Sequence, residues 1–593
     1  MKNISIKIYH SMKTFKIILL IAPLLFYTLI VSGQKDYDVL VPSSFVPTIK
    51  YPQPKSKQQI NIIDTVKVEQ EVTYSVEDMV LIHEFSPDPI NAPKVGKDKL
   101  SRLYRNYLKV GIGYAEPYLE YSHSNLRSKK WAYGVNMKHH SYFGGIKNYG
   151  PSSFSNTSAN IYGKLFVDKF ILQGNIDYSH DYFHCYGYNT DTLKKIYLIE
   201  NKHLPKAKTT LRQYHNIHAN ISAFSNYNKK SKKLAQIYAL DYNFLIDNYK
   251  SYEHQLGFMS SLEQKIDIPR LNAAKIGGDI DLNYYHNLWD NPKLKEDNWL
   301  FKLNPKMEMV YGNYAFRVGF GLALGLHDSS IFNIYPDIEV LFNVVPNILS
   351  FCIGLDGDME RYSYLSTMRL NPYLSDYVDV GFIKNQLRIY AGTKTNLSRS
   401  ISFGARASMS LLSNMPFFFN DTSTRTVLKD TSVNLYNTFI LLTSQSIYTN
   451  AHADITYRYK ETFGIKLNFD YHLYTVDTSI LRKAWYKPMF TTSLDAFYNL
   501  KDKFIFTFDF YIHTGAFRPS VTPSGLIRAI PLKSVFDFNL GFEYRWNNRL
   551  SFFLDVNNFA AQRNYLYYEY PSERINCLLG VKWIFGGEKI NKK

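Results

Sequence analysis

The chain has 593 residues, a formal charge of +18 and 16% aromatic residues, including 49 Tyr and 40 Phe. Mean hydropathy is -0.26, and beyond residue 33 no apolar run approaches the ~18 residues of a spanning helix, which excludes a helical membrane protein. Three distant cysteines, Cys185, Cys352 and Cys577, exclude a disulfide framework or a cysteine-based zinc site.

The first 33 residues read as a cleavable export signal. Lys2, Lys7, Lys13 and Lys16 supply a basic region, Ile17 to Val31 an apolar run, and Ser32 and Gly33 small residues at a cleavage point. The competing reading is an N-terminal membrane anchor. Removing the four lysines lowers the formal charge from +18 to +14. The remaining lysines gather at expected turns, as in Asn228-Lys229-Lys230-Ser231-Lys232-Lys233, where their stems can snorkel beside lipid. There is no basic helical stripe, so nucleic acid is not expected as a partner.

Residues 34–105 differ in character. Pro42, Pro47, Pro52, Pro54, Pro87, Pro89 and Pro93 crowd them, which predicts a mostly extended periplasmic arm. Within it, Ile60 to Val68 alternate in polarity and could add as a strand to a periplasmic or outer-membrane protein partner. Asp98 to Arg105 are expected to make a helical turn or two.

Residues 106–587 carry a different pattern. Phe504, Phe506, Phe508 and Phe510 form one row, with Thr507 and Asp509 on the other face. Phe536, Phe538, Leu540, Phe542, Tyr544 and Trp546 repeat the row, opposite Asp537, Asn539, Glu543 and Arg545. This is period-2 amphipathicity. Aromatic outside and charged inside is what a lipid-facing barrel with a wet lumen requires. The fold class is therefore all-β: an antiparallel transmembrane β-barrel of the outer membrane, about 22 strands (20–24). Strand starts fall near 107, 117, 130, 155, 170, 209, 233, 250, 275, 299, 314, 331, 347, 385, 400, 448, 462, 487, 503, 535, 549 and 574. Short turns are expected at Leu126–Lys129, Val167–Lys169, Gly312–Asn313, Val345–Asn347, Leu397–Arg399, Lys460–Glu461, Lys501–Lys503 and Asn547–Asn548. Long loops are expected near 183–208, 360–384, 412–432, 475–486, 516–534 and 559–573. Asn434 to Tyr448 is ambiguous. Residues 588–593 form a tail. An all-β soluble sandwich is the competing fold, disfavoured by aromatic rows in so many strands.

The C-terminal segment supplies a resemblance. Ser551-Phe552-Phe553-Leu554-Asp555-Val556-Asn557-Asn558-Phe559 is followed by Tyr565, Tyr570-Pro571 and Arg574, then by Cys577-Leu578-Leu579-Gly580-Val581-Lys582-Trp583-Ile584-Phe585. An Asn-x-Phe stop, a Tyr, a Pro and an Arg before an aromatic last strand resemble the close of TonB-dependent receptors. Leu103 to Gly113 looks like a barrel entry of that kind, and the likeness spans roughly residues 100–587. It implies a 22-strand barrel, a bound ligand and transport across the outer membrane. Asp64-Thr65-Val66-Lys67-Val68 resembles the short box such receptors offer to TonB, although five residues of this type also occur by chance. The departure is the missing plug: the residues before Tyr107 are too few and too Pro-rich to form one. Long loops remain that could fold inward and narrow the lumen.

No catalytic constellation emerges, and neither cofactor nor metal is expected. His180 and His184 share a strand face but lie about 13 Å apart at ~3.3 Å per residue, and His139 and His140 face opposite ways. Asp279, Asp281, Asp356 and Asp358 read first as wet lumen residues, and Asp356 with Asp358 second as a cation site. Asp537, Asn539, Glu543 and Arg545 are the candidate lumen lining. Two functions follow: ligand binding or transport through the barrel, or a non-transporting scaffold of an outer-membrane complex. Outer-membrane lipid is the expected surrounding, and the ligand is not readable.

Overall fold

The computed structural model describes residues 103–587, apart from 127, 227–232, 291–292, 328–329, 423–425, 429–430, 480 and 523. The export signal, the segment Asp64 to Val68, the tail and nearly all of the arm lie outside the described residues.

The chain closes into one 22-stranded antiparallel sheet. Neighbours in sequence pair with each other all the way round. The ring is sealed where the first strand, Tyr104–Gly113, pairs with the last, Asn576–Gly587. Tyr104 and Arg105 are therefore strand residues, which corrects the helical turn expected up to Arg105. At the seam Gly111 faces Gly580. A Cβ on Gly580 would run into the Val110 carbonyl oxygen and the Phe553 ring. Only glycine lets the fully buried Phe553 ring lie flat across the closing strands.

Side chains separate by face as the alternation requires. Outward residues such as Ile161, Ile221, Ile334, Phe506 and Leu540 are exposed. Among the inward residues next to them are Asn160, Asn220, Asn333, Thr507 and Asn539. An apolar outside on a closed sheet has no unpaired backbone edge to hide, so lipid is its natural solvent. The chain is an outer-membrane barrel by this construction.

The two ends of the barrel differ. At one end the connections are tight, as at Gly312–Asn313 and Lys501–Lys503. Lys501 and Asp502 both have positive φ, which gives the hairpin the twist its strands need. At the other end lie the connections 143–153, 185–210, 363–380, 421–438, 477–489, 515–534 and 558–575. All six expected long loops fall at that end, together with 143–153, which the alternation did not separate from strand. Two boundaries move. Ile401–Asn420 and Phe439–Tyr459 pair as far as Asn420 with Phe439, so the loop expected at 412–432 lies at 421–438 and the ambiguous stretch is strand only from Phe439. A bulge between Leu412 and Met415 shifts the register there. Above it Phe417, Phe418 and Phe419 are all buried. With both faces covered, alternation vanishes.

Candidate functional site

The inner wall is lined with charges in pairs. Lys109 reaches Asp555 at 3.3 Å, Arg317 lies 3.0 Å from Asp337, Arg388 2.5 Å from Asp356, Lys302 2.8 Å from Asp358 and Lys306 2.5 Å from Asp279. His218 sits between Asp177 and Asp241 at 3.2 and 2.8 Å. Each cation is one to three strands from its partner, Lys302 and Asp358 being the farthest apart.

Asp356 and Asp358 thus each hold their own basic side chain. That overturns their reading as a joint cation site: the charge a metal would satisfy is already met. Glu543 lies between Lys582 and Arg545, the latter at 3.4 Å. Asp537 and Asn539 are buried rather than open to a channel. Asn539 donates to Asp537 at 3.2 Å and accepts the backbone N–H of Asn558 at 2.9 Å. Both therefore brace the start of loop 558–575.

The histidines separate as well. His180 stacks on His215 of the next strand, with ring centres 4.5 Å apart. His184 lies beside Tyr182 and Thr210. His139 contacts Thr157, while His140 contacts Glu116 on the opposite face. Burial pushes the Cys185 thiol up to about 11, so it stays protonated and unreactive.

The largest apolar core of the molecule lies across the barrel mouth, not on the lipid face. Long loops pack there against strand ends such as Phe183, Tyr214, Trp289 and Phe417. Tyr186, Tyr364, Tyr373, Leu374, Phe439, Trp485 and Tyr570 are each 3% exposed or less. Tyr373 stacks on Tyr570 with ring centres 3.7 Å apart, and Tyr186 meets Tyr570 edge-on at 4.9 Å. Loops from opposite sides of the barrel are tied together by hydrogen bonds. Asn437 donates to the Cys185 carbonyl at 2.6 Å, Tyr186 to the Pro571 carbonyl at 2.9 Å and Tyr567 to the Leu370 carbonyl at 2.9 Å. The Tyr570 hydroxyl donates to the Asn437 carbonyl. Phe439 and Leu374 form a parallel bridge, in which the Phe439 N–H reaches the Tyr373 carbonyl and the Ser375 N–H the Phe439 carbonyl.

Loop 363–380 anchors this cap to the wall. Its helix, Tyr364–Leu370, begins at a capping box made by Ser363 and Ser366. Pro372 lies just beyond its end, where a helix cannot continue. The buried Glu253 carboxylate, on the wall, accepts the N–H groups of Tyr364 at 2.9 Å and Leu365 at 3.2 Å, and a bond from Asn287 at 2.9 Å. A carboxylate there meets the orphan donors and positive end of the helix. Arg212, 1% exposed, donates to the carbonyls of Leu374 and Ser375 at 2.8 and 2.9 Å. It also lies 3.3 Å from Asp376 and 3.6 Å from Asp247, which accepts the Tyr364 hydroxyl at 2.8 Å. Arginine's planar fork suits this task, because it serves two carbonyls and two carboxylates at once.

Sequence reasoning singled out neither Glu253 nor Arg212, and among the aromatic residues of the cap only Tyr570, as part of the C-terminal motif. Their one signal is composition: loops are ordinarily polar, but here Tyr186, Tyr188, Tyr373, Tyr377, Trp485, Tyr486, Tyr567 and Tyr570 fall in expected loops.

No family model matches the chain, and no curated protein sequence does. Many solved structures share the fold. The FrpB iron transporter from Neisseria meningitidis has a TM-score of 0.60 at 10% identity, over 82% of each chain. The ferric-catecholate import receptor Fiu from E. coli K12 has a TM-score of 0.59 at 10% identity, over 81% of this chain and 82% of that one. FpvAI, in its complex with pyocin S2, has a TM-score of 0.59 at 11% identity, over 82% of this chain and 71% of that one. At such identities the likeness is one of fold alone: a large closed β-barrel.

Proposed function

We propose that this chain is an outer-membrane receptor of the import type. The long-loop end faces the exterior, the loop cap receives a ligand, and the polar lumen passes it inward. The observation that carries this reading is the cap itself. Six long loops from around the ring meet in one dry aromatic core above a lumen lined with charge. A merely structural barrel has no need for such an expensive mouth. The similar solved structures, an import receptor and an iron transporter among them, support a transport role over a catalytic one. The N-terminal arm, with Asp64, Thr65, Val66, Lys67 and Val68, is proposed to contact a periplasmic or outer-membrane partner. TonB is one such partner.

The second reading is a non-transporting scaffold, whose loops hold partner proteins. Planar-bilayer conductance separates the two. A variant lacking residues 34–100, with loop 363–380 replaced by a short Gly-Ser linker, is expected to pass a steady ion current where the intact chain is quiet. A correctly folded variant that stays silent would remove the transport reading and leave the scaffold.

A further inference from the structure

The barrel seam carries a second feature at its loop end. A cavity of about 390 Å³ opens between loop 143–153 and loop 558–575, beside the first hairpin turn. Lys147, Arg563 and Arg574 line it, together with Tyr114, Tyr142 and Glu573. None of the three cations is paired with a carboxylate among the described residues. Arg563 only donates to the Lys147 carbonyl at 3.4 Å and stands 6.0 Å from the Tyr149 ring. This contrasts with the wall, where charge is matched pair by pair.

Glu573 does not neutralise them. Burial, then the neighbouring Glu116, pushes its carboxyl up to about 8, so at neutral pH it is largely protonated. Glu116 in turn is taken up by His140 and Asn576 inside the seam.

Directly beside the cavity runs an exposed apolar stripe of the barrel. Tyr114 is 87% exposed, Ile112 71%, Phe143 68%, Leu579 59% and Ile575 52%. The stripe is continuous: Ile112 faces Leu579 across the seam, and the Phe143 N–H reaches the Ala115 carbonyl at 2.9 Å. Cations above and greasy side chains below, at the edge of a lipid-facing wall, match the two halves of one kind of molecule.

We propose that this cavity binds the phosphate-bearing headgroup of an outer-leaflet lipid, with its acyl chains lying along Ile112, Phe143, Ile575 and Leu579. Three unpaired cations supply the charge complementarity, and the stripe supplies a reason for the phosphate to arrive on a lipid. Residues of two loops and both closing strands would then be joined by one lipid at the seam.

The test uses the full-length protein in nanodiscs. The probes are a bis-phosphorylated glucosamine lipid, the same lipid without phosphates, and inorganic phosphate. Binding is read by native mass spectrometry and by competition. The variant Lys147→Ala/Arg563→Ala/Arg574→Ala is expected to bind the phosphorylated lipid about a hundredfold more weakly, from roughly a fivefold loss per cation. The control Lys501→Ala/Lys503→Ala/Arg549→Ala, at the tight-turn end, is expected to bind as the parent does. Folding of both is checked by heat-dependent migration on gels. The proposal fails if the two variants lose binding equally, if the dephosphorylated lipid binds as well as the phosphorylated one, or if inorganic phosphate binds as tightly as the lipid.

Discussion

Tyr570→Ala removes the keystone of the cap. The ring is 3% exposed and touches both Tyr373 and Tyr186, while its hydroxyl holds the Asn437 carbonyl. Truncating a buried aromatic side chain costs about 3–5 kcal/mol. That loss falls on the loops alone, because no barrel strand depends on this ring for its ladder. At about 4 kcal/mol, the population of opened cap rises roughly a thousandfold. Hydrogen exchange on the intact protein reads this directly through the Ser375 and Phe439 amides, whose bonds join loop 363–380 to the first residue of the strand Phe439–Tyr459. Both are expected to exchange about a thousandfold faster. The Val110 and Val581 region of the seam is expected to exchange as in the parent. Tyr570→Phe keeps the ring and removes only the hydroxyl, so about 1 kcal/mol and a several-fold change are expected. The reasoning is refuted if Ser375 and Phe439 accelerate less than tenfold, or if the seam accelerates with them.

Two further outcomes follow from the anchors and from the seam loop. Glu253→Ala strips the acceptor from two helix N–H groups and Asn287, a loss of about 3–5 kcal/mol to the anchoring of loop 363–380; limited proteolysis within 363–380 should quicken, and Glu253→Gln, which keeps one acceptor oxygen, should restore most of the resistance. Glu573 has its folded pKa raised from 4.5 to about 8, so the folded loop holds a proton that the unfolded loop has released. Its contribution is full below about pH 4.5 and is lost as pH rises towards 8. Exchange of loop 558–575 should therefore quicken over that window after correction for intrinsic rates, with Glu116, His140, Arg574, Arg563 and Lys147 as the surrounding charges; an unchanged profile in Glu573→Gln would refute the assignment to this group.

The barrel was legible in the sequence because its signal is local. A strand between lipid and water must alternate, and Phe504 to Phe510 show the alternation within seven positions. The turns at Gly312–Asn313 and Lys501–Lys503 are legible for the same reason. Legibility ends where a strand leaves that two-solvent setting. Phe417 to Phe419 are buried on both faces, so periodicity could not tell strand from loop there. The inner face shows the same limit more sharply. Asp537 and Asn539 were correctly set opposite the aromatic row, but their partner Asn558 comes from a loop whose path has no period. Likewise Arg212 meets Ser375 across a sequence gap no local pattern records.

The placement of the molecule's main apolar core explains why its residues escaped notice. In a soluble protein the core lies behind the strands, so the strand pattern announces it. Here the outward apolar face belongs to lipid and most of the inward face to paired charge, apart from a small buried cluster of Tyr285, Leu300, Ala323, Tyr335, Met359 and Phe382 on the wall. The larger dry core forms where loops converge on the strand ends. Lipid, lumen and cap thus divide the side chains among three surroundings. The first two are written as alternation, and the third only as aromatic residues where a loop should be polar. A loop element held by such packing can open without breaking a single ladder bond of the barrel. That separation of stabilities is what allows a mouth to move on a wall that cannot.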